Sequence, residues 1–408
     1  MRILIVTHYF PPEIGAPQAR LSDLARMWAE MGHDVHVLTG MPNHPTGVIP
    51  PEYAGRIRIS EEIDGYRVTR CWLYATPNEG IVKKTIGHLS FMVSSVVLGF
   101  RRIGRPDVVV VSSPTFFSIG SAWLLGLLKR SRLVIEVRDL WPAIFVELGV
   151  LSNRHVIRAL EAVELAAYRS ADAVVTVSAG FTEDIRARGI RAARVHTVRN
   201  GVDTERFTPS TEQDEAWRSA LGDADKALVL YIGAHGISQG LPSVVEAAAL
   251  LVDEPVHFAL VGEGADKSRV LERIEELGLS NVTTHPGVGR DEVQAVLSAA
   301  DVCLVPLRDV PLFSTFIPSK IFELLAVGKP IVASLEGESA QILSDAGQIV
   351  VPPERPEALA EALRALCSDP DRRAAMSTAG RRFVESEFDR RVLARRYEEI
   401  LEQVVGGS

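Results

Sequence analysis

Short runs of apolar residues, each followed by a loop and then by a stretch with helical spacing, recur along the whole chain. The first run occupies residues 2–7 and leads to Leu21, Leu24 and Trp28, which lie three or four positions apart, before the next run begins at Asp34. A strand that is apolar at every position is typical of a parallel sheet covered by helices on both faces. This alternation predicts an α/β fold of the doubly wound, Rossmann-like type.

A second series of the same kind begins at Leu228, after a polar stretch that follows Pro209. An Ala-Asp pair leads into an apolar run in both series, at residues 171–175 and 300–304. We therefore expect two Rossmann-like domains that face each other across a central cleft, a common place for a ligand. The expected boundaries are 1–203 for the first domain and 204–387 for the second, with a C-terminal helix, 388–408, packing back on the first domain.

The composition of the chain argues against several classes of protein. Its 408 residues are 47% hydrophobic and 24% charged, which is typical of ordered globular domains, and the net charge of −8 argues against a nucleic-acid binder. The three cysteines lie far apart in no metal-binding spacing, so we expect reduced thiols in an intracellular protein. Neither an apolar run of about 18 residues nor a secretory signal is visible, which favours a cytoplasmic location.

The segment 318–330, PSKIFELLAVGKP, has residues at its two ends that are typical of the start and the end of a short helix. Ser319 is of a type that caps helix N-termini, and Gly328, closely followed by a proline, suits the exit. Lys320 and Glu323 are neighbours on the first turn because residues three apart share a helix face. The helix N-terminus and Lys320 would attract phosphate, and Glu323 would accept hydrogen bonds from the two hydroxyls of a ribose. The segment predicts a nucleoside diphosphate site, with a Lys–Glu surface pair as the alternative.

Charged residues directly follow the apolar run 133–137, as Arg138 and Asp139. The carboxyl ends of buried parallel strands are where α/β proteins build their sites, so both residues are candidates for one. An ion pair between the two is the alternative. The loop with Gly15 follows the first strand and is expected at the same edge of its sheet. The segment between the second and third apolar runs is irregular, with a hairpin predicted at residues 64–65.

Residues 81–103 combine an apolar helical run with basic flanks. Lys83 and Lys84 precede the run 86–100, and Arg101 and Arg102 close it. Basic ends around an apolar stretch are typical of a helix that lies on a membrane surface. The alternative, which we favour, is a helix buried against the sheet of a Rossmann-like domain.

Several segments of the chain together carry a resemblance to a known family. They are the loop with Gly15 and residues 32–35, 200–203 with Phe207, 261–264 and 318–330. With them the sequence resembles the family 4 glycosyltransferases of GT-B fold, over nearly its whole length. Residues 139–142, 239–241 and parts of 306–320 are similar to one branch, the N-acetyl-L-fucosamine transferases of bacterial polysaccharide synthesis.

The resemblance implies a retaining transfer of a sugar, such as an N-acetylated hexosamine or deoxyhexosamine, from a UDP-sugar. The implied acceptor is a saccharide or a polyprenyl-linked saccharide, with peripheral membrane contact and with neither a metal nor a cofactor. The residues expected to carry catalysis are Lys320, Glu323, Arg138 and Asp139. Those expected at the donor are Gly15, Gly233, His235, Glu263, Gly289, Arg308, Ser319, Lys320 and Glu323. Those expected at the acceptor are Glu13, Arg138 and Asp139. For His235, Glu13 and Asp139, a structural role within the loop is the alternative.

Some positions depart from the pattern of the family. Thr315 stands where the first glutamate of the family's pair would fall, and Arg138 stands where a histidine is frequent. Ala234 and Gln239 stand where the family has the Arg and Lys that neutralise the diphosphate. If the chain binds a nucleotide-sugar, the missing positive charge must come from elsewhere.

Lys320 is the first candidate for that charge, with Arg138 or Arg308 as the second. Two alternatives to a transferase stay open. The departures motivate a catalytically silent protein that binds a nucleotide-sugar. A nucleotide-sugar 2-epimerase on the same fold would need a set of catalytic carboxylates and histidines, which the sequence does not reveal.

Overall fold

The structure, a computed structural model, describes residues 1–13, 15–77, 80–113, 116–143, 146, 151–209, 214–223, 225–289 and 291–407. The chain folds as two compact units. The first comprises Met1–Asn200 together with Arg390–Ser408, and the second comprises Gly201–Asp389. Each unit is built on its own β-sheet with helices packed against it.

Among the described residues, the first unit contains a sheet of eight strands. These are β1 Arg2–Val6, β2 Asp34–Gly40, β3 Arg58–Ile63, β4 Tyr66–Cys71, β5 Val108–Ser112, β6 Arg132–Val137, β7 Ala173–Thr176 and β8 Val195–Thr197. Their order in the sheet is β3-β4-β2-β1-β5-β6-β7-β8, with β3 antiparallel to β4 and the other pairs parallel. The helices are α1 Ala16–Glu30, α2 Gly80–Gly99, α3 Phe116–Lys129, α4 Arg154–Ser170 and α5 Ala179–Ala187.

In the second unit, the described strands form a parallel sheet of six. They are β9 Ala227–Ile232, β10 Val256–Val261, β11 Val282–His285, β12 Val302–Pro306, β13 Ile331–Ser334 and β14 Ile349–Val351, in the order β11-β10-β9-β12-β13-β14. The helices are α6 Glu215–Leu221, α7 Leu241–Ala249, α8 Lys267–Leu277, α9 Val293–Ala299, α10 Lys320–Ala326, α11 Glu338–Asp345, α12 Pro356–Cys367 and α13 Pro370–Glu387. The chain then returns to the first unit as α14 Arg390–Gly406.

Burial of whole strands explains their sequences. In β5 and β10 every residue is buried, because helices cover both faces of each sheet. The hairpin predicted at residues 64–65 is also confirmed: Asp64 and Gly65 have φ of 47° and 80°, the left-handed backbone that a two-residue turn between antiparallel strands requires. These observations confirm the predicted doubly wound α/β fold.

The repeated Ala-Asp pair has the same structural role in both units. Asp172 precedes β7 and accepts a hydrogen bond from the backbone N–H of Leu133, at 2.8 Å. Asp301 precedes β12 and accepts one from the N–H of Leu228, also at 2.8 Å. Asp301 in addition pairs with Arg218 at 2.9 Å. Each aspartate therefore satisfies an N–H at the start of the neighbouring strand and fixes how the two strands begin.

The last helix, α14, packs on α1 of the first unit. The indole N–H of Trp28 donates to the carbonyl oxygen of Ala394 at 3.2 Å, and the Trp28 and Tyr397 rings meet edge to face at 5.3 Å. At the start of the helix Arg390 forms an ion pair with Asp23 of α1. The chain end is thus held by an aromatic contact and by a charge pair.

The aspartate before β12 gives a stability prediction. We expect Asp301→Ala to lower the free energy of unfolding of the second unit by about 2–3 kcal/mol, because it removes a charged acceptor from two donors. Asp172→Ala should cost less, because Asp172 is 33% exposed against 15% for Asp301. Urea unfolding and the hydrogen-exchange rate of the Leu228 amide measure the effect.

The exposed Asp253→Ala variant is the matched control and should leave both quantities unchanged. Unaltered protection of the Leu228 amide in Asp301→Ala would contradict the assigned role of Asp301.

Candidate active site

The carboxyl end of β9 brings a lysine, a tyrosine and a glycine together. Lys320, the first residue of α10, donates a hydrogen bond from Nζ to the carbonyl oxygen of Ile232 at 3.0 Å. The same ammonium lies 4.1 Å from the centre of the Tyr231 ring. A Cβ at Gly233 would lie 2.5 Å from Nζ, so glycine leaves the ammonium its place. One side chain therefore fixes the start of α10 against the end of β9.

Lys320 has no carboxylate within salt-bridge distance in the described part of the chain. Burial disfavours the charged form and lowers the pKa of Lys320 from 10.5 to about 8, while the nearby charge of Glu323 opposes this shift. An ammonium has three N–H donors, and the carbonyl of Ile232 takes one of them. The site can therefore accept an anion, which would supply the missing negative charge.

The loops after β9 and β10 pack so closely that their contact requires glycine. A side chain on Gly262 would run into the carbonyl oxygen of Gly233, and one on Gly264 would run into the backbone of His235. Gly233 and Gly262 also have φ of 142° and 149°, which other residues rarely adopt. The N–H of His235 donates to the carbonyl oxygen of Glu263 at 2.9 Å and ties the two loops together.

His235 is fully buried beneath this glycine contact. Its ring lies 5.7 Å from the Tyr231 ring, and burial lowers the pKa of the imidazole, which favours the neutral form. Neither ring nitrogen has a hydrogen-bond partner among the described residues. His235 therefore packs under the loop, as the structural alternative expects, and its contact with a donor stays a prediction.

The helix α10 begins after Ser319 and ends at the predicted place, but the predicted capping bond is absent. The N–H groups of Gly328 and Lys329 donate to the carbonyls of Leu325 and Leu324 at 3.1 and 3.0 Å, and Gly328 has a φ of 68°. This is the Schellman arrangement, which confirms Gly328 as the exit. The prediction that Ser319 caps the helix is wrong. Its backbone is already helical, whereas a capping residue needs an extended backbone, and its side chain makes no capping hydrogen bond.

Glu263 and Gly289 lie at the ends of neighbouring strands but differ in their contacts. The carboxylate of Glu263 pairs with Lys267 at 2.6 Å, and Lys267 also donates to the carbonyl of Gly262 at 2.9 Å. Sequence reasoning missed Lys267, which lies four residues after Glu263 at the start of α8. The N–H of Gly289 donates to the side chain of Glu292 at 3.0 Å, a bond within its own turn.

Arg308, which follows β12, is brought to the same loop as Gly233. Its N–H donates to the carbonyl of Ser238 at 2.9 Å, and a Cβ at Gly240 would lie 3.1 Å from its Cγ. Its guanidinium lies 3.5 Å from the carboxylate of Glu354 and is 41% exposed. Arg308 is thus a partly neutralised cation at this edge of the sheet.

The departures from the family pattern are visible in the structure. The carbonyl of Ala234 accepts a hydrogen bond from the Tyr231 hydroxyl at 2.6 Å. The amide oxygen of Gln239 accepts one from the Ser238 hydroxyl at 3.1 Å. Neither position supplies a positive charge, and Thr315 ends a 3₁₀ turn, Pro311–Thr315. The positive charge at the end of β9 therefore comes from Lys320.

The first unit has a buried ion pair at the carboxyl edge of its sheet. Arg20 of α1 and the fully buried Glu136 of β6 lie 3.1 Å apart, and Arg20 also donates to the carbonyls of Val198 and Arg199 at 3.0 and 2.8 Å. Sequence reasoning missed this pair, for which a glutamate inside an apolar strand is a usable signal. The pair joins α1, β6 and the segment after β8.

Arg138 and Asp139 directly follow β6, at the same carboxyl edge of the sheet. The N–H of Arg138 donates to the Ser113 hydroxyl at 3.0 Å. Burial lowers the pKa of Arg138 to about 10, against the opposing charge of Glu136. Burial also raises the pKa of Asp139, against the opposing charge of Arg138. Both residues lie where the sequence predicts a site, and their roles toward an acceptor stay predictions.

Glu13 anchors a loop with both carboxylate oxygens. It accepts hydrogen bonds from the backbone N–H groups of Phe10 at 2.9 Å and of Asn43 and His44 at 2.8 Å. This is the structural alternative that the sequence leaves open, and an acceptor contact by Glu13 stays a prediction. Gly15 precedes α1, and a side chain there would run into the side chain of Gln18.

The segment that Glu13 holds forms one wall of a pocket of about 390 Å³, here called the histidine pocket. Its lining includes His8, Tyr9, His44, Tyr74, Lys84 and His88. The His8 and His88 rings lie 4.2 Å apart, and burial lowers the pKa of both, so both are neutral near pH 7. The Nδ1 atoms of both are buried without a partner among the described residues. Neutral imidazoles can donate to and accept from hydroxyl groups.

Sequence reasoning did not find the histidine pocket. His8 and Tyr9 directly follow β1, and that position is a usable signal. His44 and His88 become neighbours of them only through the fold. The described residues include no group of three or more His, Cys, Asp or Glu side chains placed to hold a metal ion.

Comparison with known families accounts for most of the chain. Residues 15–201 match the family described as glycosyl transferase 4-like domain. Residues 213–383 match the family described as glycosyl transferases group 1. The first match lies in the first unit, apart from its last residue, and the second lies within the second unit.

Individual proteins are similar over their whole length. A protein of Escherichia coli strain K12 named as a colanic acid biosynthesis glycosyl transferase, WcaI, is 29% identical, with 97% of this chain and 98% of that protein aligned. The structure of sucrose-phosphate synthase from Thermosynechococcus elongatus covers 100% of both chains, with a TM-score of 0.77 and 21% identity. Anabaena HepE in complex with UDP and glucose covers 99% of this chain and 100% of its own, with a TM-score of 0.72 and 17% identity. At these identities the two structures establish the fold.

The buried ammonium of Lys320 gives a prediction about stability. We expect Lys320→Met to raise the free energy of unfolding of the ligand-free protein by about 2 kcal/mol near pH 7, because it removes a buried charge. Lys320 has a lower pKa folded than unfolded, so wild-type stability should rise between about pH 8 and about pH 10.5, and the advantage of the variant should disappear there. Thermal unfolding at both ends of this range measures the difference.

The control is Lys226→Met, at a solvent-accessible lysine whose partner is Asp223, which should be nearly neutral at either pH. An equal difference between wild type and Lys320→Met at both pH values would contradict the assigned burial of the charge.

Proposed function

We propose that this chain, a glycosyltransferase of the GT-B type, moves a sugar from a UDP-sugar to a saccharide or lipid-linked saccharide in the synthesis of a bacterial cell-surface polysaccharide. The enzyme class is the one that the sequence predicts, and the family matches confirm it. The retaining stereochemistry, the absence of a metal and the N-acetylated or deoxy sugar of the fucosamine-transferase branch belong to the proposal.

The observation that carries the proposal is the ammonium of Lys320 at the end of β9. It is buried, has no acid partner in the described part of the chain and keeps N–H donors to spare. The diphosphate of a nucleotide-sugar is an anion that fits such a place. Binding it would raise the pKa of Lys320 again, because an opposite charge favours the protonated form.

The same ammonium suits the chemistry of the transfer. When the bond between the sugar and the diphosphate breaks, negative charge grows on the leaving phosphate and positive charge grows on the sugar. A fixed cation that already faces the phosphate stabilises this charge without reorganisation. Lys320 would do this with its side chain held by Ile232 and Tyr231, and Arg308 would add a second charge from the same loop edge.

The remaining donor contacts follow from position. Glu323 lies one turn into α10 and is partly exposed, so its carboxylate would accept hydrogen bonds from the ribose hydroxyls. Glu263 would lie near the ribose or base, where it would first have to release Lys267. Uracil as the base is supported by HepE, the similar protein whose structure holds UDP and glucose.

The acceptor is assigned to the first unit. The histidine pocket offers neutral imidazoles, tyrosine rings and Lys84, which suit a saccharide with hydroxyl groups and a nearby negative charge. Arg138 and Asp139 would act from the same sheet edge. The name of the WcaI relative, a colanic acid biosynthesis glycosyl transferase, supports a surface polysaccharide as the product.

Binding of UDP tests the donor site directly. In isothermal calorimetry with a metal chelator present, we expect UDP to bind the wild type. Lys320→Ala and Glu323→Ala should each weaken binding by about 1–3 kcal/mol, or about 5–150-fold, the loss expected for hydrogen bonds that involve charged groups. Lys226→Ala, far along the chain from α10 and on the surface, is the control.

Binding as tight in both variants as in the wild type would place the nucleotide elsewhere. UDP binding without turnover of any UDP-sugar offered with a saccharide acceptor would favour the catalytically silent alternative. Conversion of the donor sugar without an acceptor would favour the epimerase.

The lowered pKa of Lys320 also predicts how UDP affinity depends on pH. Above the pKa of about 8 the free enzyme loses the ammonium proton that the bound diphosphate needs. The affinity of the wild type should therefore fall by up to about tenfold per pH unit from about pH 8 upward. Lys320→Ala should lack this fall, and titrations of both proteins over the same pH series measure it. A parallel decline in the two proteins would mean that another group titrates.

A further inference from the structure

Helices α2 and α3 leave a broad apolar surface open to solvent. Ile86, Leu89, Val93 and Val97 repeat at helical spacing along α2 and are 39–68% exposed. Trp123 and Leu127 do the same on α3, at 46% and 62%. Contiguous apolar surface of this kind is unusual on a soluble protein and marks an interaction site. These six residues are called the apolar face below.

The two helices form one surface. They pack side by side, with a Cβ at Gly120 of α3 only 3.0 Å from the sulfur of Met92 of α2. Near their ends the ammonium of Lys129 lies 3.8 Å from the centre of the Phe100 ring. The opposite side of α2 is buried against the sheet, with Phe91 fully covered. The buried helix expected from the sequence is therefore present, and the apolar face is additional to it.

Two aromatic side chains extend the apolar face. Trp72 and Tyr74 are 44% and 40% exposed in the segment that leads from β4 to α2. The N–H of Tyr74 donates to the Ser90 hydroxyl at 2.7 Å, and the Ser94 hydroxyl donates to the carbonyl of Trp72. This segment is therefore held along α2. Tryptophan and tyrosine are the side chains that prefer the boundary between lipid and water.

Basic residues stand at the ends of the apolar face. Lys83 and Lys84 lie at the start of α2, while Arg101 and Arg102 follow its end, and all four are exposed. Arg130 follows the end of α3 and is exposed as well. From residue 80 to residue 135 the sequence contains eight Lys or Arg and a single acidic residue, Asp107, although the whole chain has a net charge of −8. This part of the surface is therefore positive on a negative protein.

From this combination we infer that the apolar face docks on the surface of a bilayer that contains anionic lipids. Apolar side chains would enter the headgroup region, with aromatic residues at its boundary and basic residues on the phosphates. None of the described helices is long and apolar enough to cross a bilayer, so the docking is peripheral. A second copy docked by the same face would bring these positive charges together, whereas anionic headgroups would neutralise them.

The docking indicates the side from which the proposed acceptor would enter the histidine pocket. Two residues beside the apolar face also line the histidine pocket. They are Tyr74, which extends the face, and Lys84, which is one of the basic residues at its end. A saccharide linked to a lipid phosphate could then enter the pocket from the bilayer, with Lys84 beside the phosphate. This step rests on the proposed function, whereas the docking itself rests on the exposed residues alone.

Sedimentation of the full chain with vesicles tests the docking. We expect binding to vesicles of equimolar phosphatidylglycerol and phosphatidylcholine and much weaker binding to phosphatidylcholine alone. The double variant Arg101→Gln with Arg102→Gln should weaken binding by about tenfold, and added salt should reduce the difference. The double variant Val93→Gln with Val97→Gln should weaken it by a similar factor, since burial of two apolar side chains is lost.

Matched controls come from α4 of the same unit. Val163→Gln replaces a valine that is 50% exposed, and Arg154→Gln with Arg158→Gln replaces two exposed arginines, so both should bind vesicles like the wild type. All these variants should bind UDP like the wild type, because no substitution lies in the second unit. If the wild type binds vesicles but does not bind UDP, the result would therefore count against the proposed function and not against the docking.

Three results would overturn the inference. Equal binding to neutral and anionic vesicles would remove the role of the basic residues. Absence of vesicle binding together with a dimer that Val93→Gln with Val97→Gln dissociates would assign the face to a second copy. Absence of vesicle binding by a monomer would leave the face without a lipid partner.

Discussion

The candidate site of the second unit depends on one ammonium group placed against the end of a parallel strand. Lys320 reaches back from α10 to the carbonyl of Ile232 and the ring of Tyr231, and Gly233 leaves room for it. The contact fixes the helix to the strand, yet it leaves a charge that the described side chains do not neutralise. A group of this kind lowers the stability of the free protein. The simplest explanation for this buried positive charge is an anionic ligand that pairs with it.

The two units use one structural device and then differ in their chemistry. Asp172 and Asp301 each satisfy an N–H near the start of a neighbouring strand, so the internal repeat of the sequence reflects a requirement of sheet assembly. At the carboxyl edges the resemblance ends. The second unit presents cations around Lys320, whereas the first unit presents uncharged imidazoles in the histidine pocket. The former suits a diphosphate and the latter suits hydroxyl groups.

Local features of the fold were predictable from the sequence, and features that join distant segments were not. Apolar strands, the hairpin at Asp64 and the exit of α10 at Gly328 follow from residues that lie next to each other in the chain. The capping role of Ser319 failed because the helical turn starts before it: the N–H of Ile321 donates to the carbonyl of Pro318 at 3.1 Å, and the backbone of Ser319 is already helical. The position of Lys320 over Tyr231 joins residues 89 positions apart, and no local pattern encodes it.

The same distinction explains why the outer surface of α2 needed the structure. Its sequence is compatible with a helix buried on a sheet and with one on a membrane, because both require many apolar residues. Periodicity alone cannot separate them when the helix is apolar nearly all round. The structure resolves the ambiguity by showing that burial uses one side, around Phe91, while Val93 and Val97 remain outside. A sheet can cover only one side of a helix, so the apolar residues on the other side of α2 are left to solvent or to a partner outside the sheet.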